Sequence, residues 1–289
     1  MRLLNDYLKE TFGCKVYRLS LQARVTCPNR DGTLGTRGCI FCSEGGSGEF
    51  AAGMSKPIPE QIAEAKACVA GKIRGEAKYI AYFQSFTNTY GDPAYLERIY
   101  REAMAPEEIA ALSIATRPDC ISEEMYRILS ALNREKPVWV ELGLQTIHPD
   151  SAAYIRRGYD LPVYEECAAR LRALGITVIT HVILGLPGES TEDMKQTVRY
   201  VVSSGAGGIK LQLLHVLKGT DLEQEYLAGK VPVMTMEEYL SLLSELLPLI
   251  PDDVVIHRLT GDGPKRLLVA PQWTADKKRV LNAVRKLTG

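Results

Sequence analysis

The chain has 289 residues, 46% of them hydrophobic, and its 35 Lys and Arg residues balance 35 Asp and Glu residues. A net charge of zero gives no global electrostatic signal for nucleic acid or a membrane surface, and no apolar stretch approaches the roughly 18 residues of a membrane span. The N-terminus lacks the apolar region of a secretory signal, and seven cysteines is an odd number for a disulfide framework. These features predict a cytoplasmic protein with no membrane partner.

The first elements in chain order are a short amphipathic helix over residues 2–12 and a strand over 15–21. A loop rich in turn-forming residues follows and runs to about residue 56. Pro57 and Pro59 then open a helix over 59–73, because proline is favoured in the first helical turn.

Strands and helices alternate regularly beyond this point. The expected strands cover 78–84, 110–115, 138–144, 176–184 and 208–214. The expected helices cover 93–104, 122–133, 150–157, 162–174 and 190–203. With the first strand, this pattern gives six βα units and therefore a parallel sheet, short of the eight units of a closed barrel. No GxGxxG motif follows the first strand, so nothing indicates a dinucleotide site. We therefore expect an α/β fold with a partial (β/α)6, TIM-like barrel over 1–215.

The remaining residues, 216–289, are expected to form a small α/β extension that covers the barrel and contacts substrate. Helices are expected at 219–228, 235–248 and 274–287, with an apolar VVIHRL segment and a TGDGPKR turn before the last one. Residues 251–289 carry eight Lys or Arg against four Asp or Glu, which suits phosphate contacts or an ordinary solvated helix face equally well.

The loop CPNRDGTLGTRGCIFC, from Cys27 to Cys42, brings Cys27, Cys39 and Cys42 close together in sequence. Thiolate is a soft ligand that selects zinc or an iron–sulfur cluster. A structural zinc site takes four protein ligands, and no histidine follows at zinc-finger spacing. Three thiolates suit a [4Fe–4S] cluster that keeps one iron open. A non-catalytic zinc-binding module and ordinary free cysteines are the alternatives.

Polar side chains stand at the predicted carboxyl ends of the strands, where the active site of a β/α barrel forms. They include the QSFTNTY run from Gln84, the TRPD run after the third strand, Glu141 and His181. Each has a structural alternative, since Glu141 and His181 are also compatible with satisfied core residues. The agreement of six strand ends favours a site.

These motifs resemble those of radical S-adenosylmethionine (SAM) enzymes, in particular the subgroup related to the catalytic subunit of Elongator. The resemblance rests on the CPNRDGT…GCIFC loop together with YFQSFTNTY, ATRPD, ELGLQT, HVILGLPGE and HRLTGDGPK. It implies a radical SAM barrel with a cluster loop over 27–48. It also implies that Cys27, Cys39 and Cys42 hold a [4Fe–4S] cluster, whose open iron binds the amino and carboxylate groups of SAM.

The resemblance also implies a set of SAM contacts. Phe41 is similar to the aromatic residue beside the adenine, and the segment that includes Gln84, Ser85 and Thr87 replaces the usual Gly-Gly-Glu segment. Gln145 and Arg157 resemble residues that hold the ribose and the carboxylate. The remaining expected contacts are His181, Gly185 and Leu214.

The narrower bacterial family that the loop resembles is associated with the wobble uridine of tRNA. The resemblance implies a step that converts a carboxymethylaminomethyl group into an aminomethyl group, which a partner methyltransferase can then complete. It also implies an electron donor such as flavodoxin or ferredoxin. The expected substrate contacts are His257, Arg258, Asp262, Lys265 and Trp273. A small metabolite or a peptide is the alternative substrate.

Overall fold

The computed structural model describes residues 1–46, 56–261 and 263–288, and these form ten strands and ten α-helices. The strands are β1 (Arg2–Leu3), β2 (Lys15–Leu21), β3 (Ala77–Phe83), β4 (Ile109–Thr116), β5 (Val138–Gln145), β6 (Thr177–Leu184), β7 (Gly208–Leu213), β8 (Val216–Leu217), β9 (Val255–Arg258) and β10 (Leu268–Ala270). The helices are α1 (Leu4–Phe12), α2 (Ile58–Ala70), α3 (Pro93–Met104), α4 (Glu123–Asn133), α5 (Pro149–Tyr154), α6 (Leu161–Ala173), α7 (Thr191–Ser203), α8 (Asp221–Leu227), α9 (Met236–Leu246) and α10 (Lys277–Thr288).

The main sheet has eight strands in the order β1-β9-β7-β6-β5-β4-β3-β2, and each neighbouring pair is parallel. The expected partial β/α barrel is confirmed, because β2 to β7 are the six predicted strands in sequential order. Two further strands extend the sheet. β9, which lies within the expected C-terminal extension, inserts between β7 and β1, while β8 and β10 form a separate antiparallel pair.

The helix boundaries follow from local sequence signals. Ser190 and Thr235 each begin a helix with a capping box, in which a carboxylate three residues later accepts a hydrogen bond from the cap backbone N–H. No helix in the described part of the chain combines the length and apolar character of a membrane span.

The amino-terminal end of the barrel is filled by apolar side chains. Leu8 of α1 packs there with inward-facing residues from the neighbouring strands, namely Val16, Ile80, Ala111, Trp139 and Ile179. Side chains alternate along a strand, so residues two positions further on point into the same interior. The interior above this apolar layer therefore holds Arg18, Tyr82, Glu141 and His181, and it opens toward the cysteine loop.

Candidate active site

The cysteine loop follows β2 and covers the carboxyl end of the sheet. Cys27, Cys39 and Cys42 all line a cavity of about 660 Å³ that reaches into the barrel. The buried side chain of Asn29 holds the loop in place, because its Nδ2 donates to the carbonyl of Arg156 at 2.7 Å and lies 3.4 Å from Cys39 Sγ.

In the described part of the chain, none of the three cysteines takes part in a disulfide bond. Burial, with repulsion from Cys42, raises the pKa of Cys39 to about 12. Cys27 adds to this repulsion, and the nearby Arg117 guanidinium opposes it. Among the described residues, no three His, Cys, Asp or Glu side chains converge as ligands for a single metal ion. Three thiolates that face one cavity suit a cluster instead, because each would bind a different iron.

The strand ends around the cavity contain strained backbone and unsatisfied polar atoms. Ser85, Phe86 and Gln145 have positive φ angles of 78°, 57° and 70°, which L-residues rarely adopt and which cluster at functional sites. Gln145 Oε1 and Thr87 Oγ1 are buried without a hydrogen-bond partner among the described residues. A buried polar atom without a partner is costly, so this wall fits a polar ligand such as SAM.

Most of the expected SAM contacts reach this cavity. Its lining includes Phe41, Gln84, Ser85, Thr87, Gln145, Arg157, His181 and Leu214. Phe41 and Leu214 belong to an apolar wall with Ile155 and Ile183, which suits an adenine face. Gly185 is absent from the described lining; its N–H faces Met194 Sδ at 3.2 Å instead.

Arg157 is engaged with the protein backbone as well as facing the cavity. Its Nη1 donates to the carbonyls of Leu144 and Thr146 at 3.2 and 2.7 Å, and its Nε donates to the carbonyl of Tyr159 at 2.9 Å. The guanidinium therefore fixes the loop that follows β5. The expected carboxylate contact has to share this group with three backbone carbonyls.

The floor of the cavity is a buried ionic network that the sequence did not predict. Glu141 is fully buried and accepts hydrogen bonds from Ser113 at 2.8 Å, from His181 Nε2 at 2.8 Å and from Lys210. Arg18 Nη2 lies 3.9 Å from the same carboxylate. Because a carboxylate only accepts, His181 Nε2 carries the hydrogen.

The pKa values of this network follow from burial and from its charges. Burial alone would raise the pKa of Glu141, but Lys210, the His181 hydrogen bond and Arg18 outweigh it and hold that pKa well below its usual range. Burial and the neighbouring Lys210 lower the pKa of His181 to about 4, so His181 is neutral at physiological pH. Glu141 and His181 are thus linked structural partners at the base of the site.

The expected substrate contacts do not all lie at the cavity. Arg258 lines the cavity. His257 lies on β9 outside the described cavity lining, where its Nδ1 is 2.9 Å from Arg18 Nη2 and its ring packs on Trp139. Lys265 is exposed outside the cavity lining, and Asp262, like residues 47 and 48 of the cluster loop, lies outside the described residues.

Trp273 is half-buried and packs against the core. Its Nε1 donates to the carbonyl of Met234 at 2.9 Å, and its ring lies 5.8 Å from that of Tyr239 against the core. The expected substrate contact at Trp273 has no support from this packing.

A comparison with known protein families identifies the family to which this chain belongs. The radical SAM superfamily model matches residues 32–201, which is more than half of the chain. The chain belongs to the radical SAM superfamily. A radical SAM C-terminal domain model matches residues 206–288 as well. Members of this superfamily are enzymes that use a [4Fe–4S] cluster and SAM, and both cofactors belong to this protein.

Related radical SAM proteins include YtqA of Bacillus subtilis, which is 41% identical over 283 residues, 98% of this chain and 88% of YtqA. A tRNA uridine(34) acetyltransferase of Dehalococcoides mccartyi is 30% identical over 164 residues, 55% of this chain and 35% of that protein. The structure of Elp3 from Methanocaldococcus infernus superimposes with a TM-score of 0.67 at 19% identity, covering 88% of this chain and 58% of Elp3. This superposition shows the shared fold.

Proposed function

We propose that this radical SAM enzyme acts on the wobble uridine of a tRNA and converts its 5-carboxymethylaminomethyl group into an aminomethyl group. The similarity to a tRNA uridine(34) acetyltransferase supports a tRNA substrate. The observation that carries the proposal is a basic helix beside the cavity, since RNA affinity depends largely on phosphate contacts.

This helix is α10, which carries five Lys or Arg residues and no acidic residue. Its first residue, Lys277, lines the cavity and is exposed. Val280 and Val284 are buried and pack α10 into the core, so that its basic side chains remain on the solvent side. A rigid basic helix at the rim can hold the RNA backbone while one nucleotide enters the cavity.

Within the cavity, we assign Cys27, Cys39 and Cys42 as the cluster ligands. Gln145 and the segment from Gln84 to Thr87 would hold polar groups of SAM, and Phe41 with Leu214 would hold its adenine. When bound at these residues, the cluster and SAM would supply the chemistry of radical hydrogen abstraction from an unactivated carbon. The chain itself orients the reacting groups and excludes water.

The decisive experiment is mass spectrometry of tRNA nucleosides from a strain that lacks the gene. We expect loss of the aminomethyl form and its methylated product, with accumulation of the carboxymethylaminomethyl form. Re-expression of the wild type should restore the profile, and the Cys39→Ala variant should not. Unchanged wobble uridines in the deletion strain would refute the tRNA assignment.

A small metabolite or a peptide is the second candidate, and the zero net charge of the chain favours it. SAM cleavage that persists while tRNA fails to bind at physiological salt would support this alternative. In either case, the proposal includes a flavodoxin or ferredoxin as electron donor and a cytoplasmic location. A downstream methyltransferase belongs to the tRNA proposal alone.

A further inference from the structure

The floor of the cavity holds more positive than negative charge. Arg18, Lys210 and Arg258 all face it, and Glu141 is the one acidic side chain among the described lining residues. Both arginines stay charged at any physiological pH. Even an uncharged Lys210 therefore leaves two guanidinium groups opposite one carboxylate.

Glu141 cannot satisfy both arginines. Its Oε1 already accepts from Ser113, and its Oε2 accepts from His181 and Lys210. Arg18 lies 3.9 Å away from this carboxylate, beyond hydrogen-bond distance, and its Nε is buried without a partner among the described residues. The Glu141 carboxylate is thus engaged mainly by Lys210 and His181.

Arg258 has no hydrogen bond or ion pair from its side chain to any residue in the described ranges. It stands directly beside Lys210, because the two residues are register partners on the adjacent strands β9 and β7. Like charges at such cross-strand positions are destabilising. Lys210 has the Glu141 carboxylate as its partner, so Arg258 is the cation for which the described residues provide no anion.

We propose that Arg258 and Arg18 form a binding site for a carboxylate group on the substrate, at the floor of the cavity. This inference rests on the proposed function and identifies the part of the modified uridine that is recognised. A planar guanidinium matches a carboxylate with two parallel hydrogen bonds. The floor lies deep within the barrel, where a substituent on an extruded base can reach and an RNA backbone phosphate cannot.

This site also gives a reason for product release. The carboxymethylaminomethyl group carries a carboxylate, whereas the aminomethyl product carries an amine that is protonated at neutral pH. A base that carries the aminomethyl group therefore lacks the attractive contact with Arg258 and meets repulsion instead. Arg258 and Arg18 are thus specificity-determining residues that favour the substrate over the product.

The test compares binding of three anticodon stem-loops to the reconstituted enzyme with SAM but without reductant, so that no turnover occurs. The stem-loops carry carboxymethylaminomethyluridine, aminomethyluridine or uridine at the wobble position. Hydrogen bonds to charged groups contribute about 1.5–3 kcal/mol, so we expect the wild type to prefer the carboxylated stem-loop by about 10- to 100-fold. Arg258→Gln should reduce this preference to less than about threefold, and Arg258→Lys should retain part of it.

Arg134→Gln is the matched control, because Arg134 is exposed and absent from the described cavity lining. This variant should keep the full preference. Arg18→Gln is a second test of the stem-loop preference. Because this change also affects folding, the thermal unfolding of the variant is measured alongside. The proposed carboxylate site would be refuted if the wild type showed no preference for the carboxylated stem-loop, or if Arg258→Gln kept that preference.

Two more measurements identify which carboxylate the arginines bind and whether the pocket acts without RNA. The carboxylate of SAM is a second possible occupant, so SAM affinity is measured by equilibrium dialysis; a fall in Arg258→Gln with no change in stem-loop preference would overturn the substrate assignment. If no stem-loop binds, the proposed tRNA function is refuted. Binding of the free nucleosides then tests the arginine pocket independently of RNA. Tighter binding of the carboxylated nucleoside by the wild type but not by Arg258→Gln would support the pocket, and equal binding would reject it.

Discussion

Replacement of Glu141 by Gln tests whether the floor of the barrel is held together by charge. The change preserves the shape of the side chain but removes its negative charge, and Glu141 is completely buried. Lys210, itself 1% exposed, then faces a neutral amide and has only the Tyr82 hydroxyl at 3.3 Å as another partner among the described residues. Arg18 also loses its nearest carboxylate.

The expected loss of stability follows from these contacts. Breaking a buried ion pair by removing one partner costs about 3–5 kcal/mol, because the other charge remains buried. Ser113→Ala is a smaller perturbation of the same carboxylate, since it removes one hydrogen bond to a charged group, of about 1.5–3 kcal/mol, and leaves the charges unchanged. We therefore expect Glu141→Gln to lower the free energy of unfolding by more than Ser113→Ala does.

The measurement is urea unfolding followed by far-UV circular dichroism, on protein without cluster, for the wild type and each variant. Lys210→Met and the double variant complete a thermodynamic cycle. Because the double variant leaves no unpaired ammonium group, its loss should be smaller than the sum of the single losses by about 1–3 kcal/mol. A Glu141→Gln variant within about 1 kcal/mol of the wild type, or additive losses in the cycle, would refute the reasoning, since breaking a buried pair has a larger effect.

Three other predictions concern the cofactors and pH. Cys39→Ala should lose most bound iron and the visible charge-transfer absorbance after anaerobic reconstitution, with an unchanged far-UV spectrum. Gly143→Ala should weaken SAM binding in dialysis by about 2- to 10-fold with iron content unchanged, because its Cβ would lie 2.9 Å from Gln145 Nε2 and displace that amide. The unfolded chain binds more protons at His181 than the folded chain between pH 6.5 and about 4. Acidification through this range should therefore lower the free energy of unfolding by about 3 kcal/mol. In urea unfolding at a series of pH values, His181→Gln should show a smaller dependence of this free energy on pH.

The barrel was predictable because its six strands carry repeated local signals. The predicted strand over 15–21 coincides with β2, and the other five differ by at most one residue at either end. β1, β8 and β10 were missed because each has only two or three residues, too few for a periodic pattern. β9 was recognisable only as an apolar segment, since its place between β7 and β1 depends on tertiary packing.

Only those parts of the site that belong to a recognisable sequence motif were predictable. The cysteine loop and the strand ends lead to the cavity, but Arg18 and Lys210 stand inside strands and alternate with apolar residues. In an ordinary half-buried sheet, such polar positions face solvent. A barrel reverses this expectation above its apolar layer, because the inward positions of β2 and β7 line the cavity. The packing of Trp273 was likewise not predictable, since its polar neighbourhood in sequence does not indicate a side chain that packs partly against the core.

The charge distribution inside the barrel divides the cavity into two regions with different tasks. At the carboxyl end, the three thiols and the strained residues Ser85 and Gln145 provide soft ligands and unsatisfied polar atoms, which suit the cofactors. At the floor, Glu141 balances only part of the positive charge, and Arg258 has no described partner. In the proposed complex, a cofactor held at one end and an anionic substituent held at the other would fix the atoms between them. This arrangement would place the carbon to be attacked by contacts at both sides, which is what radical hydrogen abstraction requires of a protein.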